Sequence, residues 1–434
     1  MTKLWQKNNK KSADDNLVYE FTAGKDRDFD LLLASHDVKG SLAHAQMLCS
    51  IGLISDTEWK NIESGLKGIE KIIVEGKFKI DDGVEDVHSQ VEIMLTEMIG
   101  EAGKKIHSGR SRNDQVLLDI KLYLRDEIKT IKQEISTLFD LLIQLADKHK
   151  NDLLPGYTHF QLAMPSSFGL WFSAYAESLS DDMEWLVAAF NICNKNPLGS
   201  GAGYGSSFPL DREMTTKLLG FETMNYNVVN AQMTRGKAEK SIGIAMAAFA
   251  ATLSKLSYDG CIYMNQLNGF ISFPESLTTG SSIMPHKKNP DVFELIRAKC
   301  NRIQSIPNEL TLLLNNLPSG YHRDLQLTKE IIFPAIQELL LCIKTCTYIL
   351  KNIIVKKDLL DDEKFLHLFS VERVNELVIQ GIPFRDAYKK VAEEIESGDF
   401  KKPSSIHHTH SGSIGNLCLD KIIQNMQKTA NNIP

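Results

Sequence analysis

The run SRNDQVLLDIKLYLRDEIKTIKQEISTLFDLLIQLADKHK, residues 111–150, contains neither proline nor glycine. Within it Leu124, Ile128, Ile131, Ile135, Leu138, Leu142 and Leu145 recur at alternating steps of four and three. An α-helix returns to one face at those steps, so the spacing draws a continuous apolar stripe. A helix of this length would span roughly 55–60 Å. Alone it cannot hide such a stripe, so the run predicts a bundle. Ser111, Asn113 and Asp114 can cap its start, and Pro155-Gly156 lies beyond its end.

On either side of this run the pattern stays helical. Residues 166–192 place aromatic and aliphatic side chains at helical spacing, and 228–267 are rich in Ala, Ser, Gly and Met, which lets helices approach closely. Residues 290–316 and 326–354 read as helices with Pro307 and Pro334 as kinks. The middle of the chain thus supplies five long helices with more apolar surface than one such unit hides, and bundle-to-bundle packing of subunits is expected. From Asp28 to about Ile99 shorter helices are expected, interrupted at Gly52, Gly65, Gly76 and Asp81-Asp82-Gly83. After residue 357 the segments shorten again, with helices at Val371–Gln380 and Pro383–Ser397. The reading is an all-α chain of three domains: 1–110, a central long-helix domain 111–357, and 358–434.

Bulk properties narrow the function classes. The chain has 434 residues, 43% hydrophobic and 24% charged, which is globular composition. A formal net charge of −6 gives no bulk attraction to nucleic acid or to an anionic membrane. The N-terminal MTKLWQKNNKKSADDN lacks the apolar core of a signal peptide, and charge interrupts the apolar stretches before the roughly 18 residues of a membrane span. Seven cysteines form no CxxC pair, which reads as reduced thiols in the cytoplasm.

Four segments depart from what packing requires. His107 to Gln115 (HSGRSRNDQ) gathers two arginines at a helix start, where free N–H groups and the helix dipole favour anions. The plain alternative is a capped helix with solvated arginines. The stretch LPGYTHFQ, 154–161, puts Thr158 and His159 in a rigid loop between long helices, and histidine moves protons near neutral pH. A loop histidine can equally be a surface residue. TTGSSIMPHKKNP, 278–290, leads small flexible residues into Lys287, Lys288 and Asn289 before a helix, a composition suited to a closing loop with oxyanion stabilisers, or to a solvated linker. YHRDLQLTK, 321–329, is a polar cationic face near a helix start, or a surface turn. The trio His407, His408 and His410 lacks a coherent metal-ligand set and reads as polar loop.

These segments resemble the fumarase/aspartase superfamily of lyases. GSSIMPHKKNP at 280–290 is similar to the superfamily signature GSSxMPxKxNP. HSGRSRNDQV at 107–116, GYTHFQ at 156–161, PLGSGAGYGSSFPLDRE at 197–213 and YxxDLQ at 321–326 resemble the argininosuccinate lyase family within it. The resemblance implies a three-domain helical subunit whose central helices form a twenty-helix core in a homotetramer, each active site being shared by three subunits. It implies anti β-elimination of argininosuccinate to arginine and fumarate, in arginine biosynthesis, with no metal and no organic cofactor. By resemblance Ser281 is the base, Lys287 and Asn289 stabilise the aci-carboxylate intermediate, His159 protonates the departing nitrogen, and Glu294 orients that histidine. Ser111, Arg112, Asn113, Thr158, Tyr321, Gln326 and Lys329 match positions that hold the substrate. The sequence departs from the pattern at His286, Leu162 and Met164, at Phe21-Thr22-Ala23-Gly24, and in the C-terminal loop Ser411–Asn416. The alternatives are another fumarate-releasing lyase of the superfamily and a catalytically silent structural homologue.

Overall fold

The computed structural model describes residues 13–403, 406 and 408–434, so His407 and the first twelve residues lie outside the described residues. Its helices, in chain order, are α1 (Ala13–Ala23), α2 (Asp26–Asp30), α3 (Ala34–Ser50), α4 (Asp56–Val74), α5 (Val87–Ile99), α6 (Arg112–Lys148), α7 (Phe168–Cys193), α8 (Arg212–Leu218), α9 (Val228–Met233), α10 (Lys237–Met264), α11 (Asp291–Ile303), α12 (Ile306–Leu313), α13 (Thr328–Lys351), α14 (Ser370–Ile379), α15 (Phe384–Glu396) and α16 (Leu419–Ala430). Helical turns and three small two-stranded sheets fill the joints.

The stripe on α6 does what its spacing requires. Leu124, Ile128, Ile131, Ile135, Leu138 and Leu142 are wholly buried and Leu145 nearly so. Burying each such side chain contributes about 1.5–3 kcal/mol, so the seam rather than helix propensity holds this 37-residue helix in place. α6 packs on α7 and α13, and α10 lies across α7, α11, α12 and α13. Their apolar faces form one core, which the buried residues of α14, α15 and α16 join. A second cluster, from Ala34 to Ile106, gives α3, α4 and α5 their own core.

Several expectations are corrected. The helix expected over 228–267 is broken, because Gly236 takes φ +80° between α9 and α10. Pro307 does not kink a helix; it sits in the first turn of α12, where its missing N–H costs nothing. So α11 and α12 run in series in place of one long helix. Gly65 does not interrupt α4 either. A Cβ there would stand 2.6 Å from Leu95 Cδ1, so the glycine serves the close crossing of α4 and α5. Against the expected absence of apolar stretches of membrane-span length, the helical stretches Val228–Met264, counted through the break at Gly236, and Arg323–Lys351 pass by length and composition. About half of each such window is buried, the position of a core helix.

The segment expected as a loop between α6 and α7 is a hairpin, with β1 (Leu153–Thr158) antiparallel to β2 (Gln161–Ser167). Thr158 pairs with Gln161, leaving His159 and Phe160 as a two-residue turn, both left-handed at φ 54° and 59°. Such a turn matches strand twist but favours Gly or Asn. Two side-chain-bearing residues hold it here at a conformational cost of about 1 kcal/mol or more each.

Candidate active site

The first group of site residues is built where α5, α6 and α13 begin. Ser111 caps α6, its Oγ accepting from the Asn113 N–H at 3.2 Å, and Asp114 Oδ1 accepts from the Ser111 N–H at 2.8 Å. Asp114 Oδ2 also accepts from the N–H groups of Gly199 and Gly201, at 3.0 and 2.9 Å. That buried carboxylate ties the helix start to the glycine-rich segment. Burial pushes it up to about 6, against the pull of those N–H donors.

Arg112, Asn113, Tyr321, Gln326 and Lys329 line one cleft together with Asp26, Asp30, Glu85 and Asp86. Ser111 lines an adjoining cleft that shares Arg112. Two cations of the first cleft, Arg112 and Lys329, are already engaged with carboxylates. Arg112 pairs with Glu85 at 2.9 Å and Asp86 at 3.3 Å, and donates to Ser89 Oγ at 2.7 Å. Buried Lys329 pairs with Asp26 at 2.7 Å and with Asp30. Burial raises the Asp26 carboxyl from its ordinary value although Lys329 pulls it down. Gln326 Nε2 donates to the Thr22 carbonyl at 3.0 Å, fixing the amide beside the chain's first helices. Arg110, the other arginine of the motif, is turned inward and donates to Ser41 Oγ at 2.9 Å.

The second group is the hairpin tip. Thr158 and His159 are exposed there, and the hairpin is seated between α6 and α7 by the bonds from Phe168 N–H to the Asp152 carbonyl and from Gly169 N–H to the His149 carbonyl. The left-handed turn presents His159 on the exposed tip of the hairpin.

The third group is the 278–290 loop. Its base is closed by the Asn289 N–H to the Thr279 carbonyl at 2.8 Å, and Asn289 Nδ2 donates to Thr279 Oγ1 at 3.3 Å. Ser281 Oγ accepts from the N–H groups of Ile283 and Met284 at 3.3 and 3.1 Å. Two donors aimed at that oxygen favour its negative form, which a serine base requires. Lys287 is exposed with no side-chain partner among the described residues, while Lys288 pairs with Glu275 at 3.0 Å. Glu294 is exposed in the first turn of α11.

Within one chain the residues matched by sequence therefore fall into separate groups. Among the described residues no hydrogen bond or ion pair joins His159 to Glu294, or joins Ser281 to the cleft. Sequence reasoning also passed over His88, which borders both clefts, and the carboxylates Asp26 and Asp30. The signal for His88 was its place after the Asp81-Asp82-Gly83 turn, in a helix start capped by Asp86, whose Oδ1 accepts from the Ser89 N–H at 2.8 Å.

A family model described as a lyase matches residues 8–305. The argininosuccinate lyase of Bacteroides fragilis is 58% identical over 427 residues, covering 98% of this chain and 95% of that protein. The argininosuccinate lyase of Thermotoga neapolitana is 38% identical over 392 residues, covering 90% and 98%. Among solved structures, an EDDS lyase variant with bound fumarate superposes with a TM-score of 0.77 at 20% identity, over 95% of this chain and 90% of that one. Class II fumarase from Schistosoma mansoni gives 0.72 at 16% identity, over 93% and 90%. The structural likenesses establish the fold, and the extent and identity of the sequence matches establish that the chain belongs to the argininosuccinate lyase family.

Proposed function

We propose that this chain is an argininosuccinate lyase, splitting argininosuccinate into arginine and fumarate in the cytoplasm. The observation that carries the reading is 58% identity to such an enzyme along nearly the whole chain. Intact Ser281, His159, Lys287 and Asn289 accompany it.

Ser281, polarised by the Ile283 and Met284 N–H groups, takes a proton from the succinyl carbon next to a carboxylate. The electron pair moves into that carboxylate, giving the aci form with one more negative charge. Lys287 and Asn289 stabilise that added charge, which is larger in the transition state than in the substrate. The pair then returns to form the carbon–carbon double bond as the carbon–nitrogen bond breaks. His159 delivers a proton to the departing guanidino nitrogen. The cleft between α6 and α13 holds the amino-acid end: Asp26, Asp30, Glu85 and Asp86 suit its cationic groups, and Tyr321, Gln326 and Asn113 offer neutral hydrogen bonds.

The separateness of the three groups supports a shared site. His159, Glu294 and Lys287 are exposed in one chain, where alone they face water. Assembly into a homotetramer would bring a hairpin tip and a 278–290 loop from other subunits onto each cleft. Exposed Trp185, Leu341 and Tyr348 on the long helices are apolar surface available to such packing. The same reading divides the chain at 110 and 357; the separate core of residues 34–106 supports the first boundary, while beyond 357 the buried residues share the central core.

The test is fumarate release from argininosuccinate, followed by ultraviolet absorbance with EDTA present. Release that persists in EDTA supports both the reaction and its independence of a metal ion. No release from folded protein would remove the reading. Mixing His159→Asn and Ser281→Ala proteins, with subunit exchange, should restore part of the activity; failure despite proven exchange would refute shared sites.

A further inference from the structure

His88 takes no part in the scheme above. Its ring is 6% exposed. Nδ1 faces two carboxylates, donating to Asp37 Oδ1 at 2.8 Å and lying 3.4 Å from Asp119 Oδ2. The proton on Nδ1 is thereby fixed from α3 and α6 together. Nε2 has no partner among the described residues, and it is not one of the polar atoms sealed from solvent. The ring lines both clefts at once, the one holding Asn113 and Lys329 and the one holding Ser111. Nε2 is on the edge of the ring turned away from the Asp37 and Asp119 carboxylates.

Arg112 and Lys329 each face two carboxylates, so neither offers an uncommitted charge to a bound anion. His88 also faces two carboxylates, Asp37 and Asp119, but both lie on its Nδ1 side, so its Nε2 has no ionic partner among the described residues. Asp37, His88 and Asp119 could also hold a metal ion by spacing. Buried Arg110, however, adds a second positive charge within electrostatic reach of Asp37 and Asp119, which opposes a metal ion there.

We propose that His88 contacts the substrate, its Nε2–H donating to a substrate carboxylate while Asp37 holds the ring from behind. Burial opposes a charge on this ring, but the Asp37, Asp119 and Asp86 carboxylates outweigh it and push His88 up to about 10. The imidazolium therefore persists at neutral pH, and its bond to a carboxylate is charge-assisted. The proposal rests on the argininosuccinate lyase reading for the identity of the substrate, and two carboxylates qualify: the amino-acid end and the succinyl end.

The experiment measures by calorimetry how His88→Gln protein binds arginine, agmatine (arginine without its carboxylate) and fumarate. Loss of a charge-assisted bond should weaken the ligand concerned by about 10- to 100-fold. Weakened arginine with agmatine changed less than about twofold places the contact at the amino-acid carboxylate. Weakened fumarate places it at the succinyl end. Arginine and agmatine weakened together without fumarate, or no change in any of the three, overturns the proposal. Should the variant not fold, the wild-type protein carrying ring-¹⁵N histidine decides. At pH 8 it should show an imidazolium signal that shifts when arginine or fumarate is added, and absence of the signal or of the shift overturns the proposal. Wild-type protein that releases no fumarate from argininosuccinate would sink the functional reading, yet the arginine–agmatine comparison would still report on His88.

Discussion

Glu239 anchors the cleft from behind, and its replacement by glutamine should be costly. The side chain is wholly buried. Oε1 accepts from Arg235 Nε at 3.0 Å and from Thr328 Oγ1 at 3.0 Å, and Oε2 accepts from the Gly236 N–H at 2.7 Å. Arg235 in turn donates to the Leu325 carbonyl at 2.9 Å. This network joins the break before α10 to the segment that presents Tyr321, Gln326 and Lys329. A glutamine keeps one acceptor oxygen and turns the other into a donor, so either Gly236 or the Arg235–Thr328 pair faces an N–H. Worse, the Arg235 guanidinium stays buried without its counter-charge. Removing one partner of a buried pair costs about 3–5 kcal/mol. Urea unfolding at matched protein concentration, which keeps any self-association constant, should show a loss of that size. Replacing Arg235 and Glu239 together by methionine removes both charges and should cost less than Glu239→Gln alone, because the Thr328 hydroxyl still donates to the Leu325 carbonyl at 2.8 Å and only the Gly236 N–H is left without its partner. KM should rise in Glu239→Gln, because the cleft segment loses its tether. A single-variant cost below about 1 kcal/mol, or a double variant as unstable as the single, would refute the argument.

Ser281→Ala should lower turnover by roughly 10²–10⁴-fold, the usual worth of a positioned base, while substrate binding remains measurable. Near-normal turnover would take Ser281 out of that role. Lys121 is wholly buried, donating to the Lys195 carbonyl at 2.9 Å and to Asn225 Oδ1 at 2.6 Å. Burial holds its ammonium down to about 8, from an ordinary 10.5. The folded group gives up its proton first, so between pH 8 and 10.5 the unfolded chain binds more protons and stability rises with pH. The gain from this group is about 3 kcal/mol across that window. Lys121→Met should lack the rise, and parallel slopes for the two proteins in pH-dependent unfolding would contradict the assignment.

The bundle was legible because its information is local and periodic. Seven residues of α6 at steps of four and three point one way whatever they pack against, and all seven are buried. Breaks were harder to read, since they depend on the neighbour. Gly65 looks like an interruption in sequence, yet it is an unbroken helix meeting Leu95. Gly236 looks tolerable within an Ala-rich helix, yet its backbone turns left-handed where Glu239 takes its N–H. The hairpin escaped because His159-Phe160 is not a pair that two-residue turns prefer. A conformation disfavoured by propensity and held by the fold is where sequence reasoning should fail and where function concentrates.

The site divides along the same line. Ser281 and Asn289 could be read from a motif because the loop's own backbone builds their surroundings, within ten residues of sequence. The charge state of the cleft could not, because its partners are far apart in the chain. Lys329 meets Asp26 and Asp30 across some three hundred residues, and His88 meets Asp37 across 51. Two arginines in the 107–116 motif suggested a free anion site, but Arg110 turns inward and Arg112 faces Glu85 and Asp86. A motif records which residues a reaction needs; the fold decides which of their charges are already spoken for. On that ground the cleft's open edge for an anion lies at His88, a buried cation whose outer nitrogen no carboxylate has claimed.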